Sequence, residues 1–141
     1  MQARTIYLIK RVETEVTISM ANALNAYELT PLQYSVMSFV DIEGVNFSSA
    51  QLSRRFFMTP QSMNEIVTIL QRKNMLIKTK DPNHKRVLRL NLTDEGKAVL
   101  TNCNAAIDVV ESDLFSGLKE KELVTFRKLL GKILDKTKSR K

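Results

Sequence analysis

At 141 residues, 43% hydrophobic and 26% charged, the chain is long enough to bury one core and has the balance of a globular domain. It holds no run of about 18 apolar residues, which excludes a membrane-spanning helix. The charges in MQARTIYLIKRVETE interrupt the apolar residues too early for a secretory signal, so a cytoplasmic, nucleoid-associated protein is expected. Its single cysteine, Cys103, excludes an intrachain disulfide and fits a reducing compartment. The formal net charge of +7 is concentrated: residues 48–91 hold nine basic and two acidic side chains, while the two flanks are close to balanced. Such a patch attracts polyanions, although a solvated basic surface has the same composition.

Taken in chain order, Ile9, Val12, Val16, Met20, Leu24 and Tyr27 recur in steps of three and four, which predicts a helix from about Thr5 to Tyr27. Its apolar stripe is narrow and suits a partner. Thr30-Pro31 starts a second helix, because threonine caps free amides and proline fits the first helical position. Tyr34, Val36, Met37 and Val40 face inward there, and Gly44 ends that helix or the loop after it. Ser48 or Ser49 caps a short third helix with Leu52 and Phe56 inside and Arg54 and Arg55 outside.

Thr59-Pro60 repeats the start signal. The helix it opens has Met63, Ile66, Val67 and Leu70 on one face, a polar front end that includes Gln61, Ser62, Asn64, Glu65 and Thr68, and Asn74 at its stop. Two short strands follow, Met75 to Thr79 and Val87 to Leu92, joined by the polar turn Asp81 to Arg86 (DPNHKR), a hairpin with a basic tip. Thr93 opens a long helix whose Leu100, Cys103, Ile107, Val110 and Leu114 form a seam like that of a coiled coil. Ser116-Gly117 breaks it. The last helix, about Lys119 to Thr137, is expected to bury Leu123, Phe126, Leu130, Ile133 and Leu134, ahead of a frayed basic tail.

The predicted fold is mostly α with a small β-hairpin wing. It is a winged helix-turn-helix over residues 29–92, flanked by helical regions at 1–28 and 93–141, which the resemblance described next implies are dimerisation regions. The residues also resemble a known family. Leu29-Thr30-Pro31-Leu32-Gln33-Tyr34, Ala50-Gln51-Leu52-Ser53, the run containing Ser62, Met63, Asn64 and Leu70, Asp81-Pro82-Asn83-His84-Lys85-Arg86, and Leu92-Thr93-Asp94-Glu95-Gly96 are similar, in order and without a gap, to segments of the MarR (multiple antibiotic resistance) family of bacterial transcriptional regulators. Three positions depart from the pattern: His84 stands where Asp is usual, Asn74 where Gly is usual, and Glu65 where a neutral or basic residue is common. The resemblance implies a homodimer built from the first and last two helices, a palindromic double-stranded DNA site, and often a pocket for a small-molecule effector. Repression is the commoner role in that family.

The residue types fit that chemistry. Gln61 and Asn64 each offer a donor and an acceptor to a base edge in the major groove, and Ser62, Thr68 and Glu65 extend that front, Glu65 as an acceptor from cytosine or as a plain solvated charge. Arg54, Arg55, Thr59, Arg72 and Lys73 are placed for phosphates. Arg86 is the candidate minor-groove arginine, with Lys85 on phosphate and His84 beside them. His84 removes an Asp-to-Arg clamp on that wing arginine; an ordinary loop histidine is the plain alternative. Ile9, Val12, Val16, Ile107, Val110, Leu114, Phe126, Leu130 and Ile133 are the dimer candidates. Cys103 reads as a buried contact rather than a redox-sensing thiol.

No catalytic residue, metal site or cofactor is expected. The glycines at 44, 96, 117 and 131 are too scattered to cradle a phosphate, and one His and one Cys far apart cannot hold a metal. The remaining alternative is a protein-interaction or architectural module on the same fold.

Overall fold

The computed structural model describes residues 2–43, 47–84, 86 and 88–138; Gly44, Val87 and the last three residues of the basic tail lie outside them. The elements are α1 (Thr5–Leu24), a 3₁₀ turn (Asn25–Tyr27), α2 (Pro31–Glu43), α3 (Ser49–Arg55), α4 (Pro60–Arg72), β1 (Leu76–Lys80), β2 (Leu88–Leu92), α5 (Asp94–Leu114) and α6 (Glu120–Lys138). No described helix is long and apolar enough to cross a membrane.

The helix starts follow from side-chain caps. Thr30 Oγ1 accepts from the Gln33 amide at 3.1 Å while Gln33 Oε1 accepts from the Thr30 amide at 3.1 Å, a reciprocal box that satisfies two otherwise orphaned donors. Ser48 and Gln51 repeat it at the start of α3. Thr59 caps α4 through the Ser62 amide at 3.1 Å, with Pro60 next in line.

Three helix ends share one device. The 3₁₀ turn, α3 and α4 each close on a residue with left-handed backbone, Glu28, Phe57 and Asn74, with φ of 56°, 53° and 59°. After α4, the Asn74 amide donates to Gln71 O and the Met75 amide to Leu70 O, both at 2.9 Å. Met75 is spent on that closure, so β1 begins at Leu76, one residue later than the sequence pattern suggests, and runs to Lys80 opposite Leu88.

The chain folds as two compact units, Met1–Ile107 and Asp108–Lys141. In the first, Leu24 of α1, Val36, Met37 and Val40 of α2, Leu52 of α3, Met63, Val67 and Leu70 of α4, Leu76, Leu90 and Leu92 of the hairpin, and Leu100 and Cys103 of α5 form one buried core. The end of α1 and the first half of α5 therefore pack into the same core as the winged part. The Tyr34 hydroxyl adds a hydrogen bond to Asn104 across α2 and α5.

Gly96 fixes how α5 leaves the hairpin. A Cβ there would lie 2.2 Å from the backbone oxygen of Met75, so only glycine permits the approach. Thr93 locks it: its amide donates to Met75 O at 3.0 Å, its hydroxyl to Asn74 O at 2.6 Å, and its oxygen accepts from the Gly96 amide at 2.9 Å. The Leu-Thr-x-x-Gly run is thus a backbone joint.

In the second unit, the Phe115 and Phe126 rings meet edge to face at 6.1 Å. The expectation that the last helix buries its apolar face is not met within one chain. No residue of α6 is buried; Leu123 and Phe126 are half-buried, and Leu130, Ile133 and Leu134 are exposed. The periodicity was real, but a single helix with a stripe on one side cannot cover that stripe itself.

Candidate nucleic-acid interface

Helix α4 presents its polar face to solvent because its apolar residues are fully used. Met63, Val67 and Leu70 are buried, which turns Gln61, Asn64, Glu65, Thr68 and Arg72 outward. These five, with Ile69, form one continuous solvent-facing strip along the helix. The amphipathic geometry brings Gln61, Asn64, Glu65 and Thr68 together as expected. Ser62 is different: it is half-buried and its hydroxyl accepts from Thr59 at 2.9 Å, so it belongs to the cap as much as to the front.

The basic residues divide by position. Arg54 and Arg55 stand exposed in the last turn of α3, where positive charge is favourable against the helix C-terminus. The Arg55 guanidinium lies 5.3 Å from the Phe39 ring centroid, a cation–π contact that steadies it. Arg72 sits at the opposite end of α4 from Gln61, on the same face. Lys73 ends that helix and its ammonium donates to the Glu28 carbonyl.

The wing holds a clamp that the sequence reading missed. The Arg89 Nε donates to Asp81 Oδ2 at 2.9 Å, an Arg89 terminal nitrogen lies 2.8 Å from the same oxygen, and another donates to Gln51 Oε1 at 3.1 Å. Asp81 also accepts from the Asn83 amide at 2.8 Å. Asp81 is buried and Arg89 half-buried, so the ion pair is shielded and ties the base of the hairpin turn to α3. The Asn83 amide, followed by Arg89 and the nearby His84, outweighs burial and holds the Asp81 carboxyl below its ordinary range.

A signal for this clamp exists in the hairpin register. Arg89 pairs with Thr79, and Asp81 is two residues on, hence diagonal to Arg89 on the same face. The clamp engages Arg89, while Arg86 is exposed at the tip near exposed His84. Lys85, the other tip residue, lies outside the described residues.

Elsewhere, Cys103 is buried and its thiol is pushed up by desolvation, the opposite of a reactive thiolate. Among the described residues no group of three or more His, Cys, Asp or Glu is placed to hold a metal ion. Of the dimer candidates, Ile9 and Val12 on α1 are exposed and Val16 is half-buried. Ile107 packs against the core, Val110 and Leu114 are half-buried further along α5, and on α6 Phe126 is half-buried while Leu130 and Ile133 are exposed.

Residues 27–87 match the family model described as MarR family. Among curated proteins, the chain is 24% identical over 110 residues to an uncharacterised helix-turn-helix regulator, YsmB, of Bacillus subtilis, covering 78% of this chain and 75% of that one. It is also 24% identical over 127 residues to the helix-turn-helix transcriptional repressor Rv2887 of Mycobacterium tuberculosis, covering 90% and 91%, a protein whose structure with salicylic acid superposes with a TM-score of 0.75. A DNA complex of MepR from S. aureus aligns over 96% of this chain and 99% of that one, at 18% identity and a TM-score of 0.83. The structural likenesses establish the winged helical fold.

Proposed function

We propose that this chain, whose residues 27–87 match the MarR family model, is a transcriptional regulator of that family and not an enzyme, and that it binds a palindromic double-stranded DNA site as a homodimer and represses transcription from it. The observation that carries the reading is the solvent-facing row Gln61, Asn64, Glu65, Thr68 and Arg72 on a capped helix whose other face is locked in the core. Such a row enters a major groove: Gln61 and Asn64 read adenine edges, Glu65 accepts from cytosine N4, and Thr68 and Arg72 follow the groove outward. Thr59 and the α4 amides, with Arg54 and Arg55, bind phosphate and set the register. Arg86 at the wing tip enters the adjacent minor groove, with Lys85 and His84 against the backbone.

Dimerisation gives the reader its second copy. The exposed Ile9 and Val12 on α1, and Leu130 and Ile133 on α6, are apolar surface that a second chain covers, together with Val16, Ile107, Val110, Leu114 and Phe126. Two α4 helices then meet successive major grooves, about 34 Å apart. A small-molecule effector that releases the DNA is part of the proposal, supported by the salicylic acid complex of Rv2887.

The test is binding of the purified chain to its own promoter region and to random DNA across a salt series. The proposal expects a steep salt slope and a preference of about a thousandfold for one palindromic site. Equal affinity for both DNAs contradicts it in favour of an architectural role, and binding to neither contradicts it in favour of a protein-interaction module.

A further inference from the structure

The two ends of the β-hairpin are held by different means. Its root is core: Leu76, Leu90 and Leu92 are buried with the apolar faces of α2, α3 and α4. Its far end is not, since Thr79, Lys80 and Leu88 are exposed and Arg86 stands beyond them. A two-stranded ribbon without apolar cover at its tip swings about its root unless polar contacts fix it. Here those contacts start from residues 47–51. The Leu90 amide donates to Phe47 O at 3.3 Å, which holds β2 at mid-strand. Further out, one atom carries the link. Gln51 Oε1 accepts from an Arg89 terminal nitrogen at 3.1 Å, Arg89 holds Asp81, and Asp81 holds the Asn83 amide. The relay ends inside the turn that carries Arg86.

The same oxygen has a second duty. It accepts from the Ser48 amide at 2.9 Å and from the Ser48 hydroxyl at 3.2 Å, which closes the capping box at the start of α3. A carbonyl oxygen offers two lone pairs, so the cap is complete without Arg89, and a third donor is more than the helix start requires. Helix α3 is itself anchored: Leu52 is buried in the core that also holds Met63, Val67 and Leu70 of α4. Gln51 therefore ties the outer wing to the frame that carries the reading strip. An arginine on a fixed ribbon loses less freedom on binding than one on a swinging ribbon. We infer that Gln51 is a positioning residue for DNA binding, which sets the wing against α3 so that Arg86 meets the minor groove while α4 lies in the major groove. The inference rests on the DNA-binding reading above and extends it to a half-buried side chain that acts from within the protein.

The experiment measures what Arg86→Ala costs in affinity, in the parent and in variants at positions 51 and 48, on the duplex that the parent selects from a random-sequence pool. In the parent the cost is expected to be about tenfold. In Gln51→Met, which keeps the length and loses the oxygen, it is expected to fall to about twofold or less, because the arginine is no longer held at the groove. Gln51→Glu keeps an acceptor in place and is expected to restore the full cost. Ser48→Ala controls for the cap: it is expected to lower thermal stability and still show the full cost of Arg86→Ala. Hydrogen exchange of the free chain adds a readout without DNA. In Gln51→Met the amides of β2 are expected to exchange at least about tenfold faster than in Ser48→Ala, with those of α4 equal in the two. An Arg86→Ala cost that is the same in Gln51→Met as in the parent overturns the inference alone. So does a cost lost equally in Ser48→Ala, or exchange that speeds up in the hairpin and α4 together. If Arg86→Ala binds like the parent, the minor-groove assignment fails and the inference with it. A parent chain that selects no duplex overturns the DNA-binding reading as a whole.

Discussion

The two compact units of this chain treat their apolar residues in opposite ways. In Met1–Ile107, residues from five helices and both strands close over one another, and Leu24, Val36, Met37, Leu52, Met63 and Leu70 are out of contact with solvent. In Asp108–Lys141, α6 has no buried residue, and Val124, Leu129, Ile133 and Leu134 are each at least half exposed. The first unit is a finished core that holds a reading surface in place. The second has the amphipathic pattern of a packed helix without the packing, which a monomer does not favour. The lesson is that a period of three and four identifies which face of a helix will be covered, but not whether its own chain covers it.

The sharpest way to break this contrast is to place charge on the uncovered face. Leu130→Glu together with Ile133→Glu is expected to leave the first unit folded, make the chain monomeric in sedimentation equilibrium, and weaken DNA binding by at least about a hundredfold, since one reading domain alone forfeits half the contacts and their effective concentration. A dimeric double variant with full affinity removes α6 from the interface.

A second substitution attacks the finished core. Gly96→Ala forces a methyl group into the Met75 carbonyl, and the neighbour it meets is backbone, which cannot swing aside. A loss of about 3 kcal/mol in denaturant unfolding is expected, at the upper end for overpacking. A loss below about 0.5 kcal/mol means that the joint between hairpin and α5 is looser than the geometry shows.

The reading surface itself should respond in affinity and not in stability. Asn64→Ala is expected to lower discrimination between the preferred site and a variant base pair by about tenfold, with unfolding unchanged, because Asn64 is exposed and holds no part of the core. Equal discrimination by parent and variant reassigns Asn64 to an ordinary solvated position.

The wing clamp gives the smallest effect and a pH signature. The Asp81 carboxyl is held below its ordinary range by the Asn83 amide and by Arg89, so its stabilising contribution is present above the unfolded carboxylate pKa and is lost as pH falls through the lowered value. Asp81→Asn should flatten that acid limb of the stability profile while weakening DNA binding a few-fold through a looser wing. An acid limb identical in parent and variant assigns the loss to other carboxylates.

Much of this architecture was legible beforehand because it is written in local chemistry. Thr30-Pro31, the serine pair at 48 and 49, and Thr59-Pro60 are start signals that act within four residues, and the structure places a helix start at each, with Ser48 the cap of α3. Asn74 signalled a left-handed closure and has one. Phe57, which performs the same closure, did not stand out, because aromatic residues are read as core and nothing local marks the left-handed position. The Asp81–Arg89–Gln51 clamp was missed for a related reason: its partners are 8 and 38 positions apart, and only strand register and the docking of the hairpin on α3 bring them together. The contact of the Lys73 ammonium with a backbone carbonyl 45 residues away is likewise a product of tertiary docking. Local signals settled element starts and the polar front of α4; pairings that depend on tertiary docking were out of their reach.

The most direct test of the central claim, that two copies of the α4 surface read one DNA site together, is affinity measured against half-site separation. On the selected palindrome, inserting about five base pairs turns one half-site to the opposite side of the duplex, and inserting about ten restores the face. The account predicts that the first insertion abolishes specific binding while each half-site sequence is intact. Affinity that is indifferent to a half-turn insertion would contradict it, because each chain would then be reading DNA alone.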